Sequence, residues 1–116
     1  MTMPDSETVL LLTRNGMGDA EPALQQKLIA TYLKLLDENN ILPAAICFYT
    51  DGVHLVVTGS PVIDSLKSLE AKGVRLIICN TCLGFYNLMD LVQVGIVGSM
   101  ADILEAQRRA GKVISL

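Results

Sequence analysis

Two of the three cysteines in this 116-residue chain, Cys79 and Cys82, stand together in the stretch "VRLIICNTCLGFY". The apolar run before them has the length and composition of a buried strand, so the first cysteine falls where a strand ends. Backbone N–H groups at the start of a helix lower the pKa of a cysteine there, and the thiolate is the nucleophilic form. A second thiol at this spacing can attack a disulfide or persulfide formed on the first. The C-x-x-C pair therefore indicates thiol chemistry.

Other uses of the cysteines stay open. Free cysteine is among the most buried residue types, so the alternative for Cys79 and Cys82 is plain packing at the sheet edge. Cys47 lies inside "AAICFY" with apolar neighbours on both sides, which favours core packing. A zinc site would combine all three cysteines with His54. Structural zinc sites usually bring two closely spaced ligand pairs and this chain has one, so we expect no metal.

Two short motifs suggest other functions, and the surrounding sequence argues against both. A C-x-x-C near a βαβ unit is typical of thioredoxin-like oxidoreductases. In those proteins the motif follows the first strand and opens a long helix, whereas here it follows the third or fourth predicted strand. The segment "GMGD" resembles part of the G-x-G-x-x-G fingerprint, which would need glycine where this chain has Glu21. We interpret Gly16 and Gly18 as turn residues with positive φ, and we expect no cofactor.

Composition narrows the class of protein. Hydrophobic residues make up 51% of the chain, the formal net charge is −3, and the nine Lys and Arg residues are scattered, which argues against a nucleic-acid partner. No apolar run approaches the roughly 20 residues that span a bilayer, and "MTMPDSE" is polar and acidic where a signal peptide would be basic and then apolar. An odd cysteine count favours reduced thiols. We expect one cytoplasmic domain over residues 1–116, with no membrane partner.

Strands and helices must alternate to position the cysteines. The runs "ETVLLLT", "PAAICFY" and "VRLIIC" have the character of buried strands, and "VQVGIV" and "KVISL" are shorter candidates. "VHLVV" fits either a strand or a short helical turn. An amphipathic helix is predicted from Pro22 to about "ENN". Its apolar stripe consists of Leu24, Leu28, Tyr32 and Leu36, with Ile29 and Leu33 beside it.

Capping signals mark two further helices. Ser60 is the predicted N-cap of a helix with Pro61 at its first position, and Gly73 is the predicted C′ residue. Ser99 and Asp102 form a possible capping box for "MADILEAQRRA", and a short helical connection is expected after the cysteines. In that last helix Glu105 can pair with Arg109, Gly111 follows the end, and the residues expected to face inward are Met100, Ile103 and Leu104.

This alternation predicts right-handed βαβ units and a three-layer α/β sandwich with a mostly parallel sheet. In open sheets of this kind ligands bind beyond the carboxyl ends of the strands. The residues that follow the strands therefore form the candidate site. They are Arg14, Asn15 and Gly16 after the first strand, Thr50 and Asp51 after the second, and Asn80, Thr81 and Cys82 beyond Cys79.

The stretches "GMGD", "FYTDGVHLV", "GSPVIDSLKSLEAKGVRLIICNTCLGFYNL" and "VGIVGSM" resemble, in this order, the DsrE/DsrF-like family. The likeness is greatest to the branch found as the C-terminal domain of the selenium-metabolism protein YedF. Its most specific part is a strand ending in C-x-T-C-L followed by an aromatic pair, here Phe85 and Tyr86. The resemblance implies a flavodoxin-like fold with a mostly parallel five-stranded sheet, assembled into a small homo-oligomer.

The resemblance also implies a function. Sulfur-relay members carry a persulfide on a cysteine just after a strand, at the position that Cys79 matches, with Cys82 as its neighbour. It thus implies a cytoplasmic sulfurtransferase-like carrier of sulfane sulfur or selenium, with donor and acceptor proteins such as a TusA-like protein. Asn80, Thr81 and the turn 14–16 would supply hydrogen bonds around the carried atom.

A second hypothesis comes from another class of protein. The chain would then be a non-catalytic subunit of a sulfur-relay complex, whose oligomer presents Phe85, Tyr86 and Leu88 as a docking surface. The thiol pKa distinguishes the two hypotheses, because a carrier needs a thiolate that forms more readily than an ordinary cysteine does.

Overall fold

The computed structural model describes residues 5–116, which form one five-stranded sheet with helices on both faces. Every pair of neighbouring strands is parallel, so the predicted mostly parallel α/β sandwich is confirmed. The strands are β1 (Thr8–Leu12), β2 (Ala45–Phe48), β3 (Arg75–Cys79), β4 (Ile96–Gly98) and β5 (Lys112–Ser115). Their order across the sheet is β4-β3-β2-β1-β5.

Four α-helices connect these strands within the described residues. None of them is long and apolar enough to cross a membrane. The polar start of the chain, "MTMPDSE", lies largely outside the described part. Of the ambiguous "VHLVV", residues 53–56 belong to a 3₁₀ segment that follows β2, and Val57 forms an isolated antiparallel bridge to Val92. The helices are α1 (Pro22–Glu38), α2 (Ile63–Ala71), α3 (Asn80–Phe85) and α4 (Met100–Arg109), and the 3₁₀ segments are Asp5–Glu7, Thr50–Val56 and Met89–Leu91.

Alternate residues of the strands build two separate cores, because successive side chains point to opposite faces of a sheet. On one face Leu10, Phe48 and Ile78 pack in the cluster that includes the buried residues of α1 and α2. On the other face the strands pack against α4 in a smaller cluster. The strand residues of that smaller cluster are Val9, Leu11, Ala45, Cys47, Ile77 and Cys79.

The buried face of α1 differs from the predicted stripe. Leu24 and Leu28 are 49% and 43% exposed, whereas Ile29, Leu33 and Leu36 are buried. The reason is helix geometry. Each step of four residues advances about 40° beyond a full turn, so a stripe built only on such steps drifts around the helix.

The inward face of α4 also needs correction. Ile103 is buried as predicted, but Met100 and Leu104 are 50% and 55% exposed and Ala106 takes the second buried position. Ile103 and Ala106 are three residues apart, so they lie on the same face of α4, and this face packs against the sheet. The larger apolar side chains are left on the flank of the helix.

Most of the predicted helix ends are confirmed. The Ser99–Asp102 capping box is present at the start of α4, and Gly73 follows α2 with a φ of 101°. The start of α2 is corrected, because the helix begins at Ile63 with Val62 as the N-cap. Ser60 instead accepts a hydrogen bond from the N–H of Val62 within the preceding turn.

Candidate functional site

The cysteine pair lies at the carboxyl edge of the sheet. Cys79 is the last residue of β3, and α3 begins at the next residue, so Cys82 lies in the first turn of that helix. Strand β2 is the neighbour of β3 and also ends at this edge. The segment Thr50–Val56, which follows β2, therefore meets the first turn of α3 beside the cysteines.

The two cysteines of the pair have different surroundings. Cys79 is 1% exposed and belongs to the core on the α4 face, whereas Cys82 is half-buried. The Sγ atom of Cys82 accepts a hydrogen bond from the backbone N–H of Thr50 at 3.1 Å. The pKa of the Cys82 thiol lies above its ordinary value, chiefly because the thiol is partly buried. The Thr50 N–H lowers the pKa of Cys82 in part, and the adjacent Cys79 thiol raises it further.

Thr50 holds an unusual backbone conformation to make this contact. Its φ is 48°, in the left-handed region that β-branched residues rarely occupy, at a cost of about 1–3 kcal/mol. The Thr50 hydroxyl lies 2.6 Å from the carbonyl oxygen of Thr13 and 2.7 Å from that of Tyr49, and it donates to one of them. The side chain thus anchors the turn that aims its own N–H at Cys82.

A second contact holds α3 against the same segment. The Tyr86 hydroxyl donates to Oδ1 of Asp51 at 2.5 Å, and the Tyr86 ring lies 4.7 Å from the His54 ring. The hydrogen bond to the Asp51 carboxylate raises the pKa of Tyr86. Since Cys82 and Tyr86 are four residues apart, they lie on one side of α3, and both face the Thr50–Val56 segment.

The predicted site residues after β1 reach the same edge but face a different space. Arg14 and Asn15 line a polar hollow of about 410 Å³ together with Asp51 and His54. Gly16 is buried, and a side chain there would collide with Gln25. Within residues 5–116, the hydrogen bonds of these three residues do not include one to a cysteine sulfur.

Asn80 and Thr81 are exposed at the start of α3. The Thr81 hydroxyl donates to Oδ1 of Asn80 at 3.4 Å. In the part of the chain that the structure describes, the donor to a cysteine sulfur is Thr50 instead. The "TDG" turn is a weak signal in the sequence for this donor. It marks where β2 stops, but it does not show which N–H group points at the thiol.

Cys47 lies apart from this chemistry. It is fully buried in β2, and burial raises the pKa of its thiol to about 11. Its predicted role in core packing fits this position. Across residues 5–116, no three His, Cys, Asp or Glu side chains come together in a way that could hold a metal ion.

A largely apolar hollow lies at the opposite end of the strands. It has a volume of about 330 Å³, and its lining includes Leu10, Tyr32, Leu36 and Ile114. Thr8 and Lys112, the first residues of β1 and β5, also line it. The cysteine pair lies at the other ends of the strands, so this hollow is remote from both thiols.

With the thiol pair placed at a strand end, comparisons with known proteins decide the family. The model of the DsrE/DsrF-like family matches residues 8–116. The chain belongs to the DsrE/DsrF-like family. This confirms the resemblance seen in the sequence at the level of the family, and the parallel sheet with flanking helices is the DsrE-like fold.

Solved structures agree with the DsrE-like fold. The ychN protein from E. coli is similar with a TM-score of 0.70 at 16% sequence identity, over 95% of this chain and 98% of that one. MTH1491 from Methanobacterium thermoautotrophicum, described as a protein of unknown function, is similar with a TM-score of 0.67 at 19% identity, over 94% of this chain and 97% of that one. No curated protein matched the chain. These likenesses bear on the fold alone.

Proposed function

We propose that this protein is a sulfur-relay protein that holds sulfane sulfur, or selenium, on the Cys79–Cys82 pair and passes it to a partner thiol. Membership of the DsrE/DsrF-like family supports a sulfur-relay context. The observation that carries the proposal is the pair itself. It lies at the carboxyl edge of a parallel sheet, where ligands of such folds bind, and one of its thiols is half-buried and accepts a backbone N–H.

Each transfer is an exchange between sulfur atoms. A cysteine thiolate attacks the outer sulfur of a donor persulfide, and the donor leaves as a thiolate. An acceptor thiolate then attacks the outer sulfur of the protein persulfide and restores the cysteine thiolate. The proposal includes a protein donor or acceptor such as a TusA-like protein, as in the YedF branch, and a reducing compartment such as the cytoplasm, where free thiols persist.

The proposal also includes a homo-oligomer. Ile96, Met100, Leu104 and Val113 are each at least 43% exposed, although all four are large apolar residues. They lie in or beside β4, α4 and β5. Burial of such residues against a second copy removes apolar surface from water.

Mass spectrometry of the intact protein tests the proposed function. The reduced protein is exposed briefly to a polysulfide donor, and we expect a mass gain of one sulfur atom at the earliest times. A variant that carries both Cys79→Ser and Cys82→Ser should show no gain. Cys47→Ala is the matched control, because that buried thiol should contribute nothing. No adduct on wild type, or equal adducts on wild type and the double variant, would refute the proposal.

Two observations favour the second hypothesis, an interaction subunit. Burial raises the pKa of the Cys82 thiol, whereas a carrier needs a thiolate that forms more readily than an ordinary cysteine does. Phe85 is 81% exposed on α3, next to the cysteines. Of the predicted docking surface, Tyr86 instead bonds to Asp51 and Leu88 packs at the margin of the core. Phe85→Ala should weaken binding of a protein partner in either hypothesis. Only the carrier hypothesis requires that Phe85→Ala still take up sulfur from a small polysulfide at the wild-type rate.

A further inference from the structure

The resemblance to sulfur-relay members points to Cys79 as the carrier, but the geometry points to Cys82. We infer that Cys82, positioned by Thr50, is the thiol that first receives the sulfur, and that Cys79 is the thiol that afterwards displaces it. The inference rests on the proposed function. It deepens that function because it assigns separate roles to the two thiols and names a positioning residue.

Accessibility is the first argument. A donor persulfide must bring its outer sulfur into line with the attacking sulfur atom, which requires open space on one side of the thiol. Cys79 is 1% exposed and lies in the core with Ile77 and Ile103. Cys82 is half-buried, and its neighbours Thr81 and Phe85 are exposed. A donor can therefore meet Cys82 without any movement of the sheet.

Hydrogen bonding is the second argument. The Thr50 N–H lies 3.1 Å from Cys82 Sγ, and a donor at this place stabilises the negative charge of a thiolate. Thr50 holds this position with φ at 48°, a conformation that its own hydroxyl anchors by donating to the carbonyl oxygen of Thr13 or of Tyr49. Strained backbone of this kind persists where the surroundings enforce it and is concentrated at functional sites.

The chemical steps balance without an added oxidant. The Cys82 thiolate attacks the outer sulfur of a donor persulfide, the donor S–S bond breaks, and the donor leaves as a thiolate. The outer sulfur of the resulting Cys82 persulfide has two routes. It passes to an acceptor thiolate, or it leaves as hydrosulfide. In the second route the Cys79 thiolate attacks Cys82 Sγ, a Cys79–Cys82 disulfide forms, and hydrosulfide leaves. The two thiols are oxidised as the sulfane sulfur is reduced, and an external dithiol resets the pair.

Single cysteine variants test the assignment. Each reduced variant is exposed to the polysulfide donor, blocked with iodoacetamide and examined by mass spectrometry. Cys79→Ser should accumulate a persulfide on Cys82, because the displacing thiol is gone. Wild type should gain one sulfur atom at short exposure and then, without an acceptor thiol, pass on to the internal disulfide with release of hydrosulfide. Cys82→Ser should take up less than about a tenth of the amount that wild type carries at short exposure.

The role of Thr50 needs a readout that a purely structural residue would not change. The pH dependence of the alkylation rate of Cys82 is measured in the Cys79→Ser background, with Thr50→Ala and Thr50→Ser added in turn. Thr50→Ala loses the anchoring hydroxyl, so we expect the pH profile of Cys82 alkylation to shift to higher pH. The alkylation rate at neutral pH should fall about three- to tenfold. Thr50→Ser loses the same methyl group but keeps the hydroxyl and should restore the Thr50 profile.

The outcomes separate this inference from the proposed function. A persulfide that forms on Cys82→Ser as fully as on wild type, and not on Cys79→Ser, would overturn the assignment and leave the carrier function intact. No persulfide on wild type would overturn both. Equal pH profiles for Thr50→Ala and Thr50→Ser, with both variants folded by circular dichroism, would remove Thr50 from the mechanism.

Discussion

Gly52 shows how a single residue fixes the segment that carries Thr50. A Cβ atom at Gly52 would overlap the carbonyl oxygen of Leu12 at the end of β1. The backbone after β2 can therefore lie this close to β1 only because the residue has no side chain. The same close approach brings the Thr50 hydroxyl within reach of the Thr13 carbonyl.

Gly52→Ala should accordingly lower the free energy of unfolding by about 2–3 kcal/mol, since the overlap forces the backbone to move. Gly84→Ala is the matched control. Gly84 lies in α3 with no atom within 4 Å of its added Cβ and without a positive φ, so alanine should leave stability unchanged or raise it by up to about 1 kcal/mol. Urea unfolding followed by circular dichroism compares the two. Equal midpoints would contradict the close approach.

Individual residues also show why the site was only partly predictable. The C-x-x-C pair was evident from spacing, and the strand-end rule correctly brought Thr50 to the edge where the cysteines lie. The positive φ of Thr50 was not predictable, because threonine disfavours it and only contacts with distant residues impose it. The bond from Tyr86 to Asp51 joins residues 35 positions apart and has no local signal.

At the scale of elements, the strands and most helix ends were predictable because they depend on neighbouring residues, although the predicted Ser60 cap of α2 was wrong. The Ser99–Asp102 capping box and the Gly73 turn are local motifs, and the structure contains both. The buried faces of α1 and α4 were predictable only in part, because tertiary packing selects among several apolar stripes. Leu24 and Leu104 are apolar and in regular helices, yet both remain at the surface.

The contact between α1 and α2 carries a prediction about pH. The Lys72 ammonium and the Ser68 hydroxyl bond to the Asp37 carboxylate at 2.9 Å and 2.7 Å, and they hold the pKa of Asp37 below its ordinary value. A carboxylate with a lowered pKa in the folded state stabilises the fold above its unfolded pKa. That stability is lost as the pH falls through the folded pKa.

Asp37→Asn should therefore lower the melting temperature at neutral pH, and the difference from wild type should vanish in acid, below the folded-state pKa of Asp37. Glu38→Gln serves as the control. Its ion pair with Lys34 is 3.8 Å long, with both side chains more than half exposed, and such pairs contribute little. A difference between Asp37→Asn and wild type that persists unchanged into acid would rule out the Asp37 carboxylate as its source.

At the scale of the whole molecule, the parallel topology explains why residues far apart in the chain meet. All five strands point the same way, so every segment that follows a strand lies at the same side of the sheet, beyond the carboxyl ends of the strands. That side carries the cysteine pair and the polar hollow beside Arg14, and the apolar hollow lies at the opposite side. In the proposed function, a partner that exchanges sulfur would therefore approach this one side of the molecule.

The two faces of the sheet are covered unequally, which leads to a prediction about assembly. Helices α1 and α2 cover one face, whereas α4 packs on the other. Five strands at about 4.8 Å spacing are about 20 Å across, and one helix is about 10 Å wide. Helix α4 alone therefore leaves part of this face of the sheet uncovered. By register, Ile96 and Val113 lie on the α4 face at the two edges of the sheet, and both are exposed.

If a second copy covers this face, Leu104→Glu should convert the oligomer to a monomer, because a charge would be buried in the interface. Leu24→Glu is the control, since Leu24 is equally a half-exposed helical leucine but belongs to α1, on the other side of the sheet. Light scattering coupled to size-exclusion chromatography measures the mass of each. A monomeric wild type, or dissociation by Leu24→Glu and not by Leu104→Glu, would place the interface elsewhere or remove it.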